Sequence, residues 1–336
     1  MQTSTVQLQN QIGVGTQKQA EYHGPVLSFR RPGDSATLGV WWWSLKGICG
    51  SAHGVHTDVL LDMLYQNNVS EIYLELGGME KDAPAVWQQG EPIGFLQVRE
   101  FVKKCSKLDI EVVALTGAAR CEVIEWIDPQ RGYPEMIRFV SNIADYNRLA
   151  GDSERIGGIH LDVEPHTVAD WEEKRPRYLQ QMADFTIAAS KLCCENGLNL
   201  AYDLFGGLRE TDMVTVCGEI LNILDVMTKY CQTIGVMSYS NSAEGQFAFG
   251  ARRYLNYAKK NNCRLVVGCE TMSPDEAAGI PPSITYSTKD VPFFIKEQQK
   301  LRQMLEETNY PNFGAAVHHI YTFYHFMTGT KEKKSK

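Results

Sequence analysis

The stretch Gly158-Ile159-His160-Leu161-Asp162-Val163-Glu164-Pro165-His166 alternates apolar and ionisable side chains until a proline stops the pattern. Side chains on a strand point to opposite faces in turn. Ile159, Leu161 and Val163 therefore share one face, and His160, Asp162 and Glu164 share the other. The next segment, Pro176–Asn196, carries apolar residues at helical spacing, and Asn199–Leu204 is again a short apolar run. Together they read as one strand–helix–strand unit. The same order recurs along the chain. Further strand-like runs are Thr37–Trp43, Glu71–Leu76, Ile110–Thr116, Thr233–Tyr239, Arg264–Glu270 and Gly314–Phe323. Helical spacing fills the intervals at His56–Asn67, Phe95–Leu108, Pro134–Ala150, Asp212–Cys231, Ala243–Asn262 and Pro292–Thr308. Eight strands alternating with helices, plus a short C-terminal segment, predict an α/β fold of the (β/α)8 TIM-barrel type. An open doubly wound sheet would need a glycine-rich phosphate turn after an early strand. Gly13 to Gly15 comes too early, and Gly77-Gly78 is no such turn. The expected organisation is an N-terminal extension over 1–34, a single barrel domain over 35–326 and a basic tail over 327–336.

Composition narrows the partners. The chain has 336 residues, 43% hydrophobic, with 33 basic and 40 acidic side chains for a net charge of −7. An acidic chain without a basic stripe lacks the footprint of a nucleic-acid binder. No stretch reaches the ~18 apolar residues of a membrane span, and the Gln- and Thr-rich start lacks the apolar centre of a signal peptide. The expected location is cytoplasmic, or secreted if the chain is trimmed. The nine cysteines are odd in number and scattered, with no paired CxxC. They read as reduced core thiols and not as a disulfide framework or zinc site. No metal and no cofactor are expected.

Barrels and open α/β sheets carry their chemistry at the C-terminal ends of the strands. Those ends hold Trp41-Trp42-Trp43, Glu75, the triplet His160, Asp162 and Glu164, Asp203, Met237-Ser238-Tyr239, Glu270 and His318-His319. Three ionisable groups on one inward face cost too much desolvation to be accidental packing. Paired carboxylates suit glycoside hydrolysis, in which one acid protonates the leaving oxygen and a second group stabilises or attacks the sugar cation. Trp41 and Trp43 offer aromatic faces for sugar rings. The expected partner is a carbohydrate or glycoconjugate; the residues leave the oligomeric state open.

Gly158–Glu164 resembles the D-G-x-D-x-D-x-E strand of family-18 chitinases, and Met237-Ser238-Tyr239 resembles that family's M-x-Y strand. The resemblance implies that Glu164 is the general acid and that Asp162 and Tyr239 meet the substrate's acetamido group. His160 and Gly157 stand where the family has aspartates. A second resemblance is to clan A glycosidases, in which Glu164-Pro165 matches the acid/base and Glu270, ending the seventh run, matches the nucleophile. On either resemblance Glu164 is the proton donor. The second group is the substrate's own acetamide in one and Glu270 in the other, and the two-glutamate arrangement is the one expected here. A carboxyl separation of ~5 Å would imply retention, and ~6.5–9.5 Å inversion. The candidate catalytic set is thus Glu164, Glu270, Asp162 and Tyr239. The candidate substrate-binding set is Trp41, Trp43, Glu75, His160, Asp203, Met237 and His318. Two alternatives stay open: a barrel that binds a carbohydrate or other ligand without turnover, and a metal-dependent hydrolase, lyase or isomerase using the same carboxylates. The long segment Met272–Asp290 reads equally as a lid or as an ordered surface excursion.

Overall fold

A computed structural model of the chain describes residues 21–76, 92–117, 127–130, 132–275 and 280–330. Eight strands form a closed barrel: β1 (Thr37–Trp42), β2 (Glu71–Glu75), β3 (Glu111–Gly117), β4 (Gly158–Asp162), β5 (Asn199–Phe205), β6 (Thr233–Met237), β7 (Arg264–Glu270) and β8 (Phe313–His318). Each strand pairs in parallel with its sequence neighbours, and β8 closes onto β1. Among the described residues a helix follows every strand. These are α1 (Thr57–Gln66), α2 (Pro92–Lys107), α3 (Gly132–Leu149), α4 (Trp171–Glu195), α5 (Ile223–Tyr230), α6 (Arg252–Asn261), α7 (Val291–Glu306) and α8 (Ile320–Thr328). This is the (β/α)8 TIM barrel expected from the sequence.

The period-two alternation sorts the strands' side chains into two separate apolar groups. Leu38, Val40 and Trp42 of β1, Ile159 and Leu161 of β4, and Leu265, Val267 and Cys269 of β7 pack outward against the helices. Trp41, Tyr73, Val113, Leu115, Val266 and Ala316 form a smaller cluster inside the barrel. Strands buried on both faces read as nearly continuous apolar runs, which is why they are visible in the sequence. Interior space is made by glycines: a Cβ at Gly39 would lie 2.5 Å from the Tyr73 hydroxyl, and one at Gly235 would lie 2.0 Å from Asp203 Oδ1.

Three expected elements differ in the structure. Asp212–Cys231 is not one helix. Met213–Val216 and Glu219–Asn222 form an antiparallel hairpin before α5. Cys217 and Gly218 turn it with φ of 52° and 86°, and the β-branched alternation of Val214, Thr215 and Val216 favours strand over helix. The eighth run breaks at His318, because Ile320, Phe323 and Met327 bury one face of α8. The start of α4 lies before Pro176, at Trp171, with a break in helical geometry at Lys174.

Residues 21–34 pack on the barrel: the Tyr22 amide donates to Asp62 of α1, the Leu27 amide donates to Asn67 just past its end, and Arg302 of α7 donates to the Phe29 carbonyl and pairs with Asp34. Residues 1–20 of the expected extension, and 331–336 of the basic tail, lie outside the described residues. No helix among the described residues is long and apolar enough to cross a membrane. Cys105, Cys193, Cys231, Cys263 and Cys269 are free and buried.

Gly39→Ala should cost ~1–3 kcal/mol of stability, the usual range for overpacking a core, read as the midpoint of chemical denaturation. Gly151→Ala is the control, since its Cβ would meet only ordinary contacts, and it should shift stability by less than about 1 kcal/mol. Equal midpoints for the two variants would show that the interior yields around Tyr73.

Candidate active site

The chemistry gathers at the C-terminal mouth, around one buried carboxylate. Asp203 points inward from β5 and is 2% exposed. Its Oδ2 accepts a hydrogen bond from Trp41 Nε1 at 2.9 Å and lies 2.7 Å from His160 Nε2. The His160 contact is an ion-pair distance, but it lies off the line of a well-formed hydrogen bond. The His160 ring is fully buried, 4.2 Å from the Tyr73 ring centre and edge-on to Trp41. His160 thus occupies the barrel interior, on the face opposite Ile159 and Leu161.

Asp162 comes next along β4, and Glu164 follows two residues later, half-buried just past the strand. Burial holds the Asp162 carboxyl well above the usual carboxylate range, reinforced by Asp203, Glu164 and Glu75. Burial also raises Glu164, again with help from Asp203, and a charge on His318 would pull it down. Glu75 is buried at the end of β2. Tyr239 lies two residues beyond β6, half-buried, with its ring 6.0 Å from His318. Its phenol is pushed well above its ordinary value by burial and by Glu270, Asp203, Asp162 and Glu164, so the hydroxyl keeps its proton. Met237 is half-buried at the end of β6.

Across the mouth, the two oxygens of Glu270 are both engaged. Oε1 accepts from the Met272 amide at 2.7 Å, and Oε2 meets His318 Nδ1 at 2.8 Å. His318 Nε2 lies 2.8 Å from Trp43 Nε1. The tryptophan triplet is therefore divided three ways. Trp41 points inward to Asp203, Trp42 packs outward between Phe101 and Tyr321, and Trp43 reaches His318 at the rim. Gly268 lets the Trp41 and Tyr239 rings approach β7, since its Cβ would lie 3.3–3.4 Å from both.

The structure brings Trp41, His160, Asp162, Glu164, Asp203, Tyr239, Glu270, His318 and Trp43 into one connected set. Tyr73 joins them, its hydroxyl held by Glu71 at 3.1 Å. The sequence reading placed Tyr73 on the second strand but gave it no role; its signal was parity, since it shares a face with Glu75. His319 was passed over too. Burial and its neighbours His318, His53 and His325 hold it neutral, well below the ordinary imidazole range. Behind Glu270, Thr285 bridges back to β7 and the Tyr286 hydroxyl donates to Gln246, so this part of Met272–Asp290 is an anchored excursion. Residues 276–279 lie outside the described residues. No group of three or more His, Cys, Asp or Glu among the described residues is placed to hold a metal ion. A cavity of about 260 Å³ opens at the opposite end of the barrel, beside Glu71, Glu111 and Arg264. In TIM-barrel enzymes that end serves stability and the active site lies at the other.

No known family profile matches the chain, and no curated protein matches it. Solved structures do. A family-18 chitinase from Pseudoalteromonas aurantia is 12% identical with a TM-score of 0.54, matched over 85% of this chain and 95% of its own. A family-18 chitinase from Cycas revoluta, described in complex with (GlcNAc)3, is 12% identical with a TM-score of 0.50 over 86% and 96%. The C-terminal domain of a putative chitinase from Desulfitobacterium hafniense is 11% identical with a TM-score of 0.47, over 70% of this chain and 66% of that one. At these identities the likeness is one of fold: this chain has a (β/α)8 TIM barrel similar to that of these family-18 chitinases.

The raised Asp162 carboxyl gives a pH signature. Its unfolded value is about 3.9, so between that pH and its folded-state value the folded protein holds a proton that the unfolded chain has lost. Stability contributed by this group is complete below about pH 4 and declines as the pH rises through the folded-state value. Asp162→Asn removes the titration. Its melting temperature should exceed the wild type's by a margin that widens from about pH 4 upward. A margin that narrows with rising pH would show that Asp162 ionises readily in the fold.

Proposed function

We propose that the barrel binds and hydrolyses a carbohydrate, with Glu164 as general acid and then general base. The observation that supports this most is the setting of Glu164: half-buried at the mouth, its carboxyl raised by burial and by Asp203. A carboxylic acid that keeps its proton towards neutral pH can deliver it to a glycosidic oxygen. Asp162, also held protonated, can donate to a substrate carbonyl, and so can the Tyr239 hydroxyl. Two donors beside the acid suit an N-acetylated sugar, whose own amide oxygen attacks the anomeric carbon. Both donors hold that oxygen in place as Glu164 protonates the leaving group. Water then opens the cyclised intermediate, with Glu164 taking up the proton. That a protein of the same fold is described with (GlcNAc)3 bound supports the same substrate class.

Each Glu270 oxygen already accepts one hydrogen bond, which weakens it as a nucleophile and fits Glu270 better as the support of His318.

Glu164→Gln should lower turnover of N-acetylglucosamine oligomers by ~10²–10⁴-fold, the usual range for loss of general acid–base catalysis. The loss should shrink on aryl glycosides whose leaving groups need no proton. Glu270→Gln should cost clearly less; an equal loss would restore Glu270 as nucleophile. Tyr239→Phe should slow N-acetylated substrates, and an unchanged rate on them would remove its role. If the wild-type protein binds glycans and cleaves no glycoside in a broad panel, binding alone is its function.

A further inference from the structure

Glu270, His318 and Trp43 form a chain of hydrogen bonds from the barrel wall to the rim. An indole N–H can only donate. His318 Nε2, 2.8 Å from Trp43 Nε1, is therefore the nitrogen without a proton. The proton of the neutral ring sits on Nδ1 and is donated to Glu270 Oε2 at 2.8 Å. Glu270 holds this arrangement firmly, because it is 3% exposed and its other oxygen takes the Met272 amide. A carboxylate that ties down one imidazole nitrogen and aims the other's lone pair is how proteins fix a histidine as an acceptor. The outer link is of another kind. Trp43 is half-buried and lies just past the end of β1. The Trp41 and Tyr239 rings flank His318 at 5.9 and 6.0 Å.

We propose that His318 Nε2 is the acceptor for a substrate hydroxyl, capped by the Trp43 indole in the free protein and uncovered when a sugar draws that indole aside. The inference rests on the carbohydrate reading above and adds to it a specificity-determining residue with its own gate. The exchange is one hydrogen bond for another: the sugar hydroxyl replaces the indole N–H as donor to Nε2, and the freed indole offers its face to the sugar ring. A sugar without a hydroxyl at that position would leave a buried acceptor unmatched, a penalty sites use to reject deoxy analogues. Glu270 acts here as a positioning residue through His318.

The test is nitrogen NMR of the full-length protein labelled at histidine and tryptophan, with tri-N-acetylchitotriose as the probe and W43F to assign the indole signal. The free protein should show His318 protonated at Nδ1 and bare at Nε2, and the sugar should move the Trp43 Nε1 and His318 Nε2 signals together. H318N, which keeps an atom near Nδ1 and none near Nε2, should bind the sugar about tenfold more weakly. H318Q, which restores an amide near Nε2, should bind more tightly than H318N. A His318 protonated on Nε2 overturns the inference, and so does sugar binding that leaves both signals unmoved; the carbohydrate reading survives either result. Failure of this sugar and of a broad glycan array to bind removes the carbohydrate reading, and the inference with it.

Discussion

A carboxylate inside a barrel of apolar side chains is the constraint on which this mouth depends. Asp203 is placed there by the parity of β5, given room by Gly235 and held by Trp41 Nε1. Burying such a group is costly unless it is paired, and His160 lies against the same oxygen. The negative charge then acts on what surrounds it. Asp203 contributes to the raised values of Asp162, Glu164, Tyr239 and Tyr73. Proton loss from these groups is thereby shifted to higher pH.

The two sides of the mouth differ in kind. On the β4 side burial and mutual repulsion raise both carboxyls, Asp162 well above the usual carboxylate range. On the β7–β8 side each Glu270 oxygen accepts a hydrogen bond, from the Met272 amide and from His318. A group with both oxygens occupied is rigid, and a group that shares a crowded, half-open space can change its protonation. This asymmetry sets a side of raised carboxyls against a side of hydrogen-bonded ones, although both end in glutamates that look alike in the sequence.

The fold was legible because barrel strands are buried on both faces and leave short apolar runs between longer amphipathic ones. Parity was equally legible on β4, where three ionisable residues alternate with Ile159, Leu161 and Val163. The hairpin before α5 was not: Val214, Val216, Ile223, Leu224 and Met227 merge into one apolar pattern, and only the Cys217-Gly218 turn separates them. The eighth strand was read too long because the apolar residues of α8 follow His318 almost at once. The engagement of Glu270 was invisible, since the Met272 amide is a backbone group and His318 stands 48 residues away. Which indole of three consecutive tryptophans meets which partner follows from parity only once the closure of β8 onto β1 is known.

His318 belongs to the last strand of the barrel, yet it is the partner of both Glu270 and Trp43. The Asp203 cluster likewise joins Trp41, from the first strand, to the fifth. During synthesis the first half of the barrel emerges with tryptophans and carboxylates whose partners are not yet made. Chains are made at about 5–20 residues per second, so the early strands wait for their complements while exposing apolar surface. The mouth is assembled only when the C-terminal strand inserts. A truncated or stalled chain would thus carry the acidic residues of β4 without the cleft that gives them their chemistry, and for that interval it would be a client for chaperones and not a working protein.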